Sequence, residues 1–118
     1  MKILFILNDT PYGTERSYNA MRLANALAET DPASEITIFL TADAVTCAKK
    51  GQKTPEGSRN LERMLKRFAD GKHHQLLVLG QCMDARGQSD TELIEGARRG
   101  STDELAKATL AADKVLMF

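Results

Sequence analysis

The chain has 118 residues, and its 16 lysines and arginines balance 16 aspartates and glutamates. This length suits one domain over residues 1–118, and the zero net charge argues against a direct nucleic-acid partner, which would favour a strongly basic surface. The N-terminus lacks the pattern of a signal peptide, and no stretch reaches the roughly 18 apolar residues of a membrane span. The composition therefore predicts a cytoplasmic protein with no membrane contact and with reduced cysteines.

The first elements along the chain alternate between strand and helix. Lys2 to Leu7 is an apolar run typical of a central strand, and Asn8 to Gly13 is a polar loop. Thr14 is predicted to cap a helix that ends before Pro32, because the residue preceding a proline avoids helical angles. Glu35 to Leu40, which is rich in β-branched residues, is the second predicted strand.

The middle of the chain predicts two more helices and a third strand. A short helix capped by Thr41 or Asp43 follows the second strand, and Cys47 on its apolar face is interpreted as a packing residue. After a turn-rich loop, the apolar stripe of residues 61–69 predicts a second helix. Gln75 to Leu79 is the third predicted strand.

Two segments of capping-box form organise the last third of the chain. Ser89 to Glu92 should open a short helix that continues through Leu93, Ile94 and Ala97, and Ser101 to Glu104 should open a longer one. Lys114 to Phe118 is the terminal strand. Together the elements predict an α/β fold in which a mostly parallel sheet is covered on both faces.

Cys82 is the main candidate for a functional residue. It lies in the polar stretch Gly80 to Gly87, predicted as a loop directly after the third strand. Ligands of open α/β sheets bind at the carboxyl ends of the strands, so the loops after the three strands should face one crevice. A thiolate is the reactive form of cysteine, and Arg86 is the nearest cation in sequence. The alternative is a buried cysteine that acts as a small hydrophobic residue.

No other motif indicates a cofactor or a metal. His73 and His74 are adjacent, so on an extended chain they point to opposite sides, and no further ligand follows at zinc spacing. The glycine-rich signatures of nucleotide sites are absent. Thr10 and Thr14 could bind a phosphate at a helix N-terminus, but turn formation and capping explain them more simply.

Charge is distributed unevenly along the chain. Residues 49–72 hold eight basic and three acidic side chains, a local net charge of +5. The simpler interpretation is a solvated helix face, and the alternative is a docking surface for an acidic partner protein.

Five short motifs follow one another in an order that carries a family resemblance. They are Pro11-Tyr12-Gly13, Asp43-Ala44-Val45, Gly51-Gln52-Lys53, Cys82-Met83-Asp84-Ala85-Arg86-Gly87 and Ala112-Asp113-Lys114-Val115. With them the chain resembles the DsrE/DsrF family from end to end, and most of all its YchN-type branch. The resemblance implies a three-layer α/β/α domain with a mostly parallel five-stranded sheet, assembly as a homo-oligomer such as a trimer or hexamer, and a persulfide carried on Cys82.

By that resemblance the protein is a sulfurtransferase or sulfur carrier that needs no cofactor and exchanges sulfur with donor and acceptor proteins. Many relatives have a second cysteine three residues before the matching one, whereas this chain has Leu79. We therefore predict that another protein's thiol removes sulfur from Cys82. Tyr12 and Gly13 are expected to shape the wall opposite Cys82. Arg86 is expected to stabilise the thiolate or a bound anion, or else to form a salt bridge.

Two other functions are compatible with the same sequence. The domain could be a non-catalytic scaffold that assembles and binds a partner, as cysteine-free subunits of the family imply. It could instead bind a small ligand, such as a nucleotide or a flavin, between the Asn8 to Gly13 loop and the strand ends.

Overall fold

Five parallel strands form the central sheet of the computed structural model, which describes residues 1–118. The strands are β1 (Lys2–Leu7), β2 (Glu35–Leu40), β3 (His74–Leu79), β4 (Ala97–Gly100) and β5 (Lys114–Met117). Their spatial order is β4-β3-β2-β1-β5, and every neighbouring pair is parallel. The predicted α/β/α fold with a five-stranded sheet is confirmed.

Four α-helices and three short 3-10 helices connect the strands. The α-helices are α1 (Arg16–Thr30), α2 (Leu61–Ala69), α3 (Gly80–Ala85) and α4 (Thr102–Ala111). The 3-10 helices span Ala42–Ala48, Pro55–Gly57 and Asp90–Glu92. None of these helices has both the length and the apolar character needed to cross a membrane.

The strand order explains how the helices divide between the two faces of the sheet. β1 to β4 lie side by side in chain order, so their right-handed crossovers all fall on one face of the sheet. The connection from β4 to β5 runs back across the sheet in the opposite direction, so the same handedness places α4 on the other face. On the first face, α1, α2 and the 3-10 helix Ala42–Ala48 enclose the main core of 21 buried residues. Beneath α4 lies a smaller core of four: Leu4, Ile6, Phe39 and Leu77.

Two predictions for the chain after β3 are wrong. The stretch from Gly80 is not a loop, because α3 starts at Gly80 without any intervening turn. The short helix predicted through Leu93, Ile94 and Ala97 is instead a single 3-10 turn followed by β4. Leu93 and Ile94 are buried in the main core, and Ala97 pairs with Leu76 of β3. Hydrogen bonding to the β3 backbone thus outweighs the low strand propensity of Ala-Arg-Arg-Gly.

Both predicted capping boxes form. Ser101 Oγ accepts a hydrogen bond from the Glu104 backbone N–H at 3.1 Å, and Glu104 Oε1 accepts one from the Ser101 N–H at 3.2 Å. Ser89 and Glu92 make the equivalent reciprocal pair ahead of β4. The boxes were therefore correctly located, although the first of them opens only one helical turn.

The two threonine caps predicted nearer the N-terminus are confirmed only in part. α1 begins at Arg16 with Glu15, and not Thr14, in the N-cap position. The Thr14 hydroxyl donates to Asp9 Oδ2 at 2.8 Å and accepts from the Arg16 N–H at 3.4 Å, so it contacts the start of the helix from one residue before the cap. Thr41 occupies the N-cap position of the 3-10 helix Ala42–Ala48, as predicted, but its side chain makes no capping hydrogen bond. Its hydroxyl lies within hydrogen-bonding distance of the Leu7 carbonyl and Asn8 Oδ1, and so ties the ends of β1 and β2 together.

Candidate functional site

Cys82 lies in the first turn of α3, at the edge of the sheet where the parallel strands end. It is a free, half-buried thiol that packs against the main core. Its Sγ accepts a hydrogen bond from the backbone N–H of Ala42 at 3.2 Å. Ala42 is the first residue of the 3-10 helix that follows β2, so the segments after β2 and β3 meet at this sulfur.

The backbone of Ala42 adopts a conformation that is unusual for a residue with a side chain. Its φ is +49°, in the left-handed region that glycine normally occupies. A β-carbon makes that region unfavourable by about 1–2 kcal/mol. Such a residue persists only where its surroundings hold it in place, and these positions cluster at functional sites.

Arg86 connects α3 to the 3-10 helix Ala42–Ala48. Its Nε and Nη2 donate to Asp43 Oδ1 at 3.1 and 2.8 Å, and its Nη1 donates to the backbone carbonyl of Cys82 at 3.1 Å. Gln88 adds a further contact, since its Nε2 donates to the Val45 carbonyl at 2.8 Å. Of the two roles expected for Arg86, the structure contains the salt bridge, and the guanidinium contacts the backbone of Cys82.

Arg99 of β4 holds α3 from the opposite side. Its Nη1 donates to the Gly80 carbonyl at 3.2 Å and to Asp84 Oδ1 at 3.1 Å, while Nε donates to Asp90 Oδ1 at 2.9 Å. The hydrogen bonds that Arg99 donates to Asp90, and then to Asp84, raise the pKa of Arg99. A groove of about 420 Å³ lies beside these residues and is lined by Gly80, Asp84 and Arg99 but not by Cys82.

Cys47 is in a quite different environment from Cys82. It is fully buried in the main core, where its Sγ lies 3.8 Å from the Asp9 carbonyl oxygen. Burial raises the pKa of Cys47 to about 12, against an opposing hydrogen-bond effect of the Ser17 hydroxyl and with a smaller upward effect of the Asp9 carboxylate. Cys47 is therefore a protonated packing residue at neutral pH.

Tyr12 and Gly13 lie in the loop after β1, but the Tyr12 phenol is directed toward α2. Its Oη donates to Gln52 Oε1 at 2.5 Å and accepts from the Leu61 N–H at 3.2 Å, so its hydrogen bonds go to α2 and its preceding loop and not to Cys82. Partial burial raises the pKa of Tyr12. Gly13 has a φ of +100°, which a side chain would strain.

The same loop contains Asp9, Thr10 and Thr14, which form a closed turn. Asp9 accepts hydrogen bonds from the Thr14 hydroxyl and from the Thr10 N–H, and these bonds lower the pKa of Asp9, chiefly through Thr14. The Asp9 carboxylate therefore already accepts the Thr14 hydroxyl hydrogen that a phosphate would need. This arrangement favours turn formation as the role of both threonines.

Only one residue of the histidine pair, His74, is held by packing. The ring of His74 stacks on Phe68, with centroids 4.5 Å apart and planes 7° apart, and its Nδ1 lies 2.7 Å from the Phe68 carbonyl oxygen. His73 is exposed in the preceding turn. His74 thus contributes to the contact between α2 and β3.

Half of the basic side chains between residues 49 and 72 are paired within the chain. These ion pairs favour the solvated-face interpretation over a docking surface, because they neutralise much of the local positive charge. The pairs are Lys49–Glu92, Arg59–Glu15, Lys66–Glu62 and Arg67–Glu29.

Two residues that build the site were not identified from the sequence. Ala42 contributes a backbone N–H, and no residue type marks such a contribution. Arg99 lies in a segment whose sequence does not predict a strand beside α3. The tandem Arg98-Arg99 before Gly100 is the available signal, since charged side chains are common on edge strands.

Comparison with known proteins identifies the family of this chain. The sequence model of the DsrE/DsrF-like family matches residues 1–118, and the chain belongs to that family. Protein YchN of Escherichia coli strain K12 is 41% identical over 117 residues, which cover 99% of this chain and 98% of YchN. The uncharacterized protein MJ0989 of Methanocaldococcus jannaschii is 36% identical over 119 residues, covering 100% of both. The resemblance to the YchN-type branch is confirmed.

Solved structures agree with this assignment. The crystal structure of the E. coli YchN protein matches with a TM-score of 0.94 at 41% identity, covering 100% of this chain and 99% of that one. The structure of MTH1491, from Methanobacterium thermoautotrophicum, matches with a TM-score of 0.76 at 13% identity over 99% of this chain and 98% of that one. At that identity the second match shows a shared fold only.

The two cysteines are expected to differ sharply in reactivity. Iodoacetamide should label Cys82 in the folded protein near neutral pH and label Cys47 only after unfolding, because Cys47 is enclosed and its raised pKa keeps it protonated. Peptide mass spectrometry with and without urea measures this, and Cys47→Ala and Cys82→Ala identify each adduct. Equal labelling of both thiols in the folded protein would contradict the assignment.

The buried Cys47 thiol should also make stability fall in alkaline solution. The pKa of Cys47 is about 12 in the folded state against an ordinary value of 9.0. Above about pH 9 the thiol ionises in the unfolded chain but not in the folded one, so the free energy of unfolding falls as the pH rises toward 12. By about pH 10 this should lower the free energy of unfolding by about 1 kcal/mol. Urea unfolding at several alkaline pH values should show a shallower decline for Cys47→Ala, and identical slopes would refute the prediction.

Proposed function

We propose that the chain is a sulfur-relay protein that carries a persulfide on Cys82 and passes the sulfur to a partner protein. The observation that supports this most directly is the state of the Cys82 thiol, which is free, partly exposed and hydrogen-bonded at the strand-end edge of a DsrE/DsrF-like fold. The family resemblance suggests the cargo. Such thiol chemistry suits the cytoplasm, where cysteines are kept reduced.

The proposed transfer consists of two displacements that require no external oxidant. In loading, the Cys82 thiolate attacks the outer sulfur of a donor persulfide, a new S–S bond forms at Sγ, and the donor leaves as a thiolate with the electron pair of the broken S–S bond. In release, an acceptor thiolate attacks the outer sulfur of the Cys82 persulfide, and Cys82 leaves as the thiolate. The sulfane sulfur moves without net oxidation or reduction.

The surroundings of Cys82 support an acceptor thiol on another protein. Leu79 occupies the position where many relatives carry a second cysteine, and its partly buried side chain packs against the small core beneath α4. Cys47 is a poor substitute because it is enclosed and its raised pKa keeps it protonated. Release through a disulfide within the chain is therefore disfavoured.

A homo-oligomer, such as a trimer or hexamer, is the proposed form of the protein. Support comes from the face that α4 covers, where α4 contributes no fully buried residue. Leu110 of α4 is 88% exposed, and Met117 and Val115 of the edge strand β5 are 67% and 41% exposed. Exposed apolar side chains on one thinly covered face are typical of a protein interface.

Persulfide loading is the direct test of the relay. Incubation with a sulfane-sulfur donor should add about 32 Da, the mass of one sulfur atom, to the protein and to Cys47→Ala. The adduct should be absent from Cys82→Ser and should disappear when an acceptor thiol is added. A protein that takes up no sulfur at Cys82, yet assembles and binds partners, would be a scaffold. A flavin absorbance band in the purified protein, or a higher melting temperature on addition of nucleotides or flavins, would support the small-ligand alternative.

Light scattering after size-exclusion chromatography tests the assembly. The protein should elute as a trimer or hexamer, and the double variant Leu110→Asp/Met117→Asp should elute at lower mass, because two charges would be buried at the interface. Leu23→Asp on α1 is the matched control, since Leu23 is 39% exposed on the opposite layer. A monomeric wild type, or an unchanged mass for the double variant, would rule out this interface.

A further inference from the structure

We propose that the backbone N–H of Ala42 is a catalytic group of the Cys82 site, and that the Asp43–Arg86 ion pair positions it there. This inference rests on the proposed sulfur transfer at Cys82. Ala42 touches the reacting atom directly, because its N–H donates to Cys82 Sγ at 3.2 Å. Asp43 and Arg86 act through Ala42 and are positioning residues.

The hydrogen bond matters most at the two ends of the transfer cycle. Before loading, Sγ is the thiolate nucleophile, and after release it is the thiolate leaving group. Hydrogen bonds to an ionised acceptor are about twice as strong as those between neutral groups. The Ala42 N–H therefore stabilises the thiolate more than the neutral persulfide, so it raises the thiolate population for loading and lowers the barrier to release.

The conformation of Ala42 indicates that this N–H is held in position by its neighbours. With a φ of +49°, Ala42 would relax to an ordinary extended or helical conformation if the 3-10 helix were free to move. The next residue, Asp43, is fixed by two hydrogen bonds from Arg86 at 3.1 and 2.8 Å. A third hydrogen bond joins Arg86 to the carbonyl of Cys82, so one guanidinium fixes both sides of the N–H···S contact.

For Asp43, an effect of charge alone and an effect of positioning predict opposite changes in the reactivity of Cys82. The two helices that meet at Cys82 carry Asp43 and Asp84, and Arg86 follows α3 in the C-cap position. A carboxylate opposes formation of a thiolate, so removing either aspartate should make Cys82 more reactive if only the field mattered. If Asp43 instead fixes the Ala42 N–H, its removal should make Cys82 less reactive.

The experiment compares Asp43→Asn, Arg86→Gln and Asp84→Asn by their rates of Cys82 alkylation with iodoacetamide at one near-neutral pH. Asp84 is the matched control, because its side chain and that of Asp43 are both 68% exposed, and it pairs with Arg99. Loss of a hydrogen bond to a charged group should reduce the fraction of Cys82 present as thiolate about tenfold. The remaining thiolate is more nucleophilic, which offsets part of that loss. Asp43→Asn and Arg86→Gln should therefore each slow alkylation about threefold. Asp84→Asn should be unchanged or faster.

Further measurements separate positioning from general damage to the fold. Asp43→Glu, which can still pair with Arg86, should recover most of the rate, and the double variant Asp43→Asn/Arg86→Gln should be no slower than either single variant. The Ala42 amide proton resonance should shift when Cys82 ionises in the wild type and should lose that response in Asp43→Asn. Urea unfolding should show that the variants are folded under the assay conditions.

Faster alkylation in Asp43→Asn, or an Ala42 resonance insensitive to Cys82 ionisation, would overturn the inference. Because iodoacetamide requires no sulfur donor, its outcome is separate from that of persulfide loading. If the variants behave as expected but no sulfur is taken up, the N–H···S contact stands and the relay fails. If sulfur is taken up and the variants are unaffected, the relay stands and the positioning role fails.

Discussion

The parallel pairing of β2 with β3 is the constraint on which the site depends. Its register places Leu40 opposite Val78, so the two strands end at nearly the same level. The chain after β2 advances only two residues to reach Ala42. After β3 it enters α3, which rises about 1.5 Å per residue compared with about 3.3 Å in a strand, so Cys82 stays close to the sheet edge. A helix that starts without a linker thus brings the sulfur to Ala42.

The sheet also separates the proposed chemistry from the proposed assembly surface. Cys82 follows β3, whereas Val115 and Met117 lie on β5, three strand spacings away, or about 14 Å. Cys82 packs with the main core, while the exposed apolar residues lie on the face covered by α4. Subunits that meet through α4 and β5 would therefore leave the thiol open to donor and acceptor proteins.

Hydrophobic patterning predicts the buried strands and helices of this fold. It does not predict elements or contacts that depend on backbone pairing. β1, β2 and β3 are found because each is an apolar run, and α2 because its apolar residues recur at helical spacing. β4 is missed because Ala-Arg-Arg-Gly has no apolar run and forms a strand only through pairing with β3. Cys82 is predicted as a site residue because α/β sheets bind ligands at the ends of their strands. The Ala42 N–H is not predicted, because a backbone group can come from any residue type except proline.

The 3-10 helix Ala42–Ala48 explains why two cysteines on one face of a sheet have opposite properties. Toward its C-terminal end the helix is buried, with Val45, Cys47 and Ala48 fully enclosed in the main core. That burial removes Cys47 from thiol chemistry, and it also anchors the segment whose first residue contacts Cys82. Packing at one end therefore limits the movement of the strained Ala42 at the other. In this arrangement Cys47 supports Cys82 as part of the scaffold, and the proposed transfer draws its second thiol from another protein.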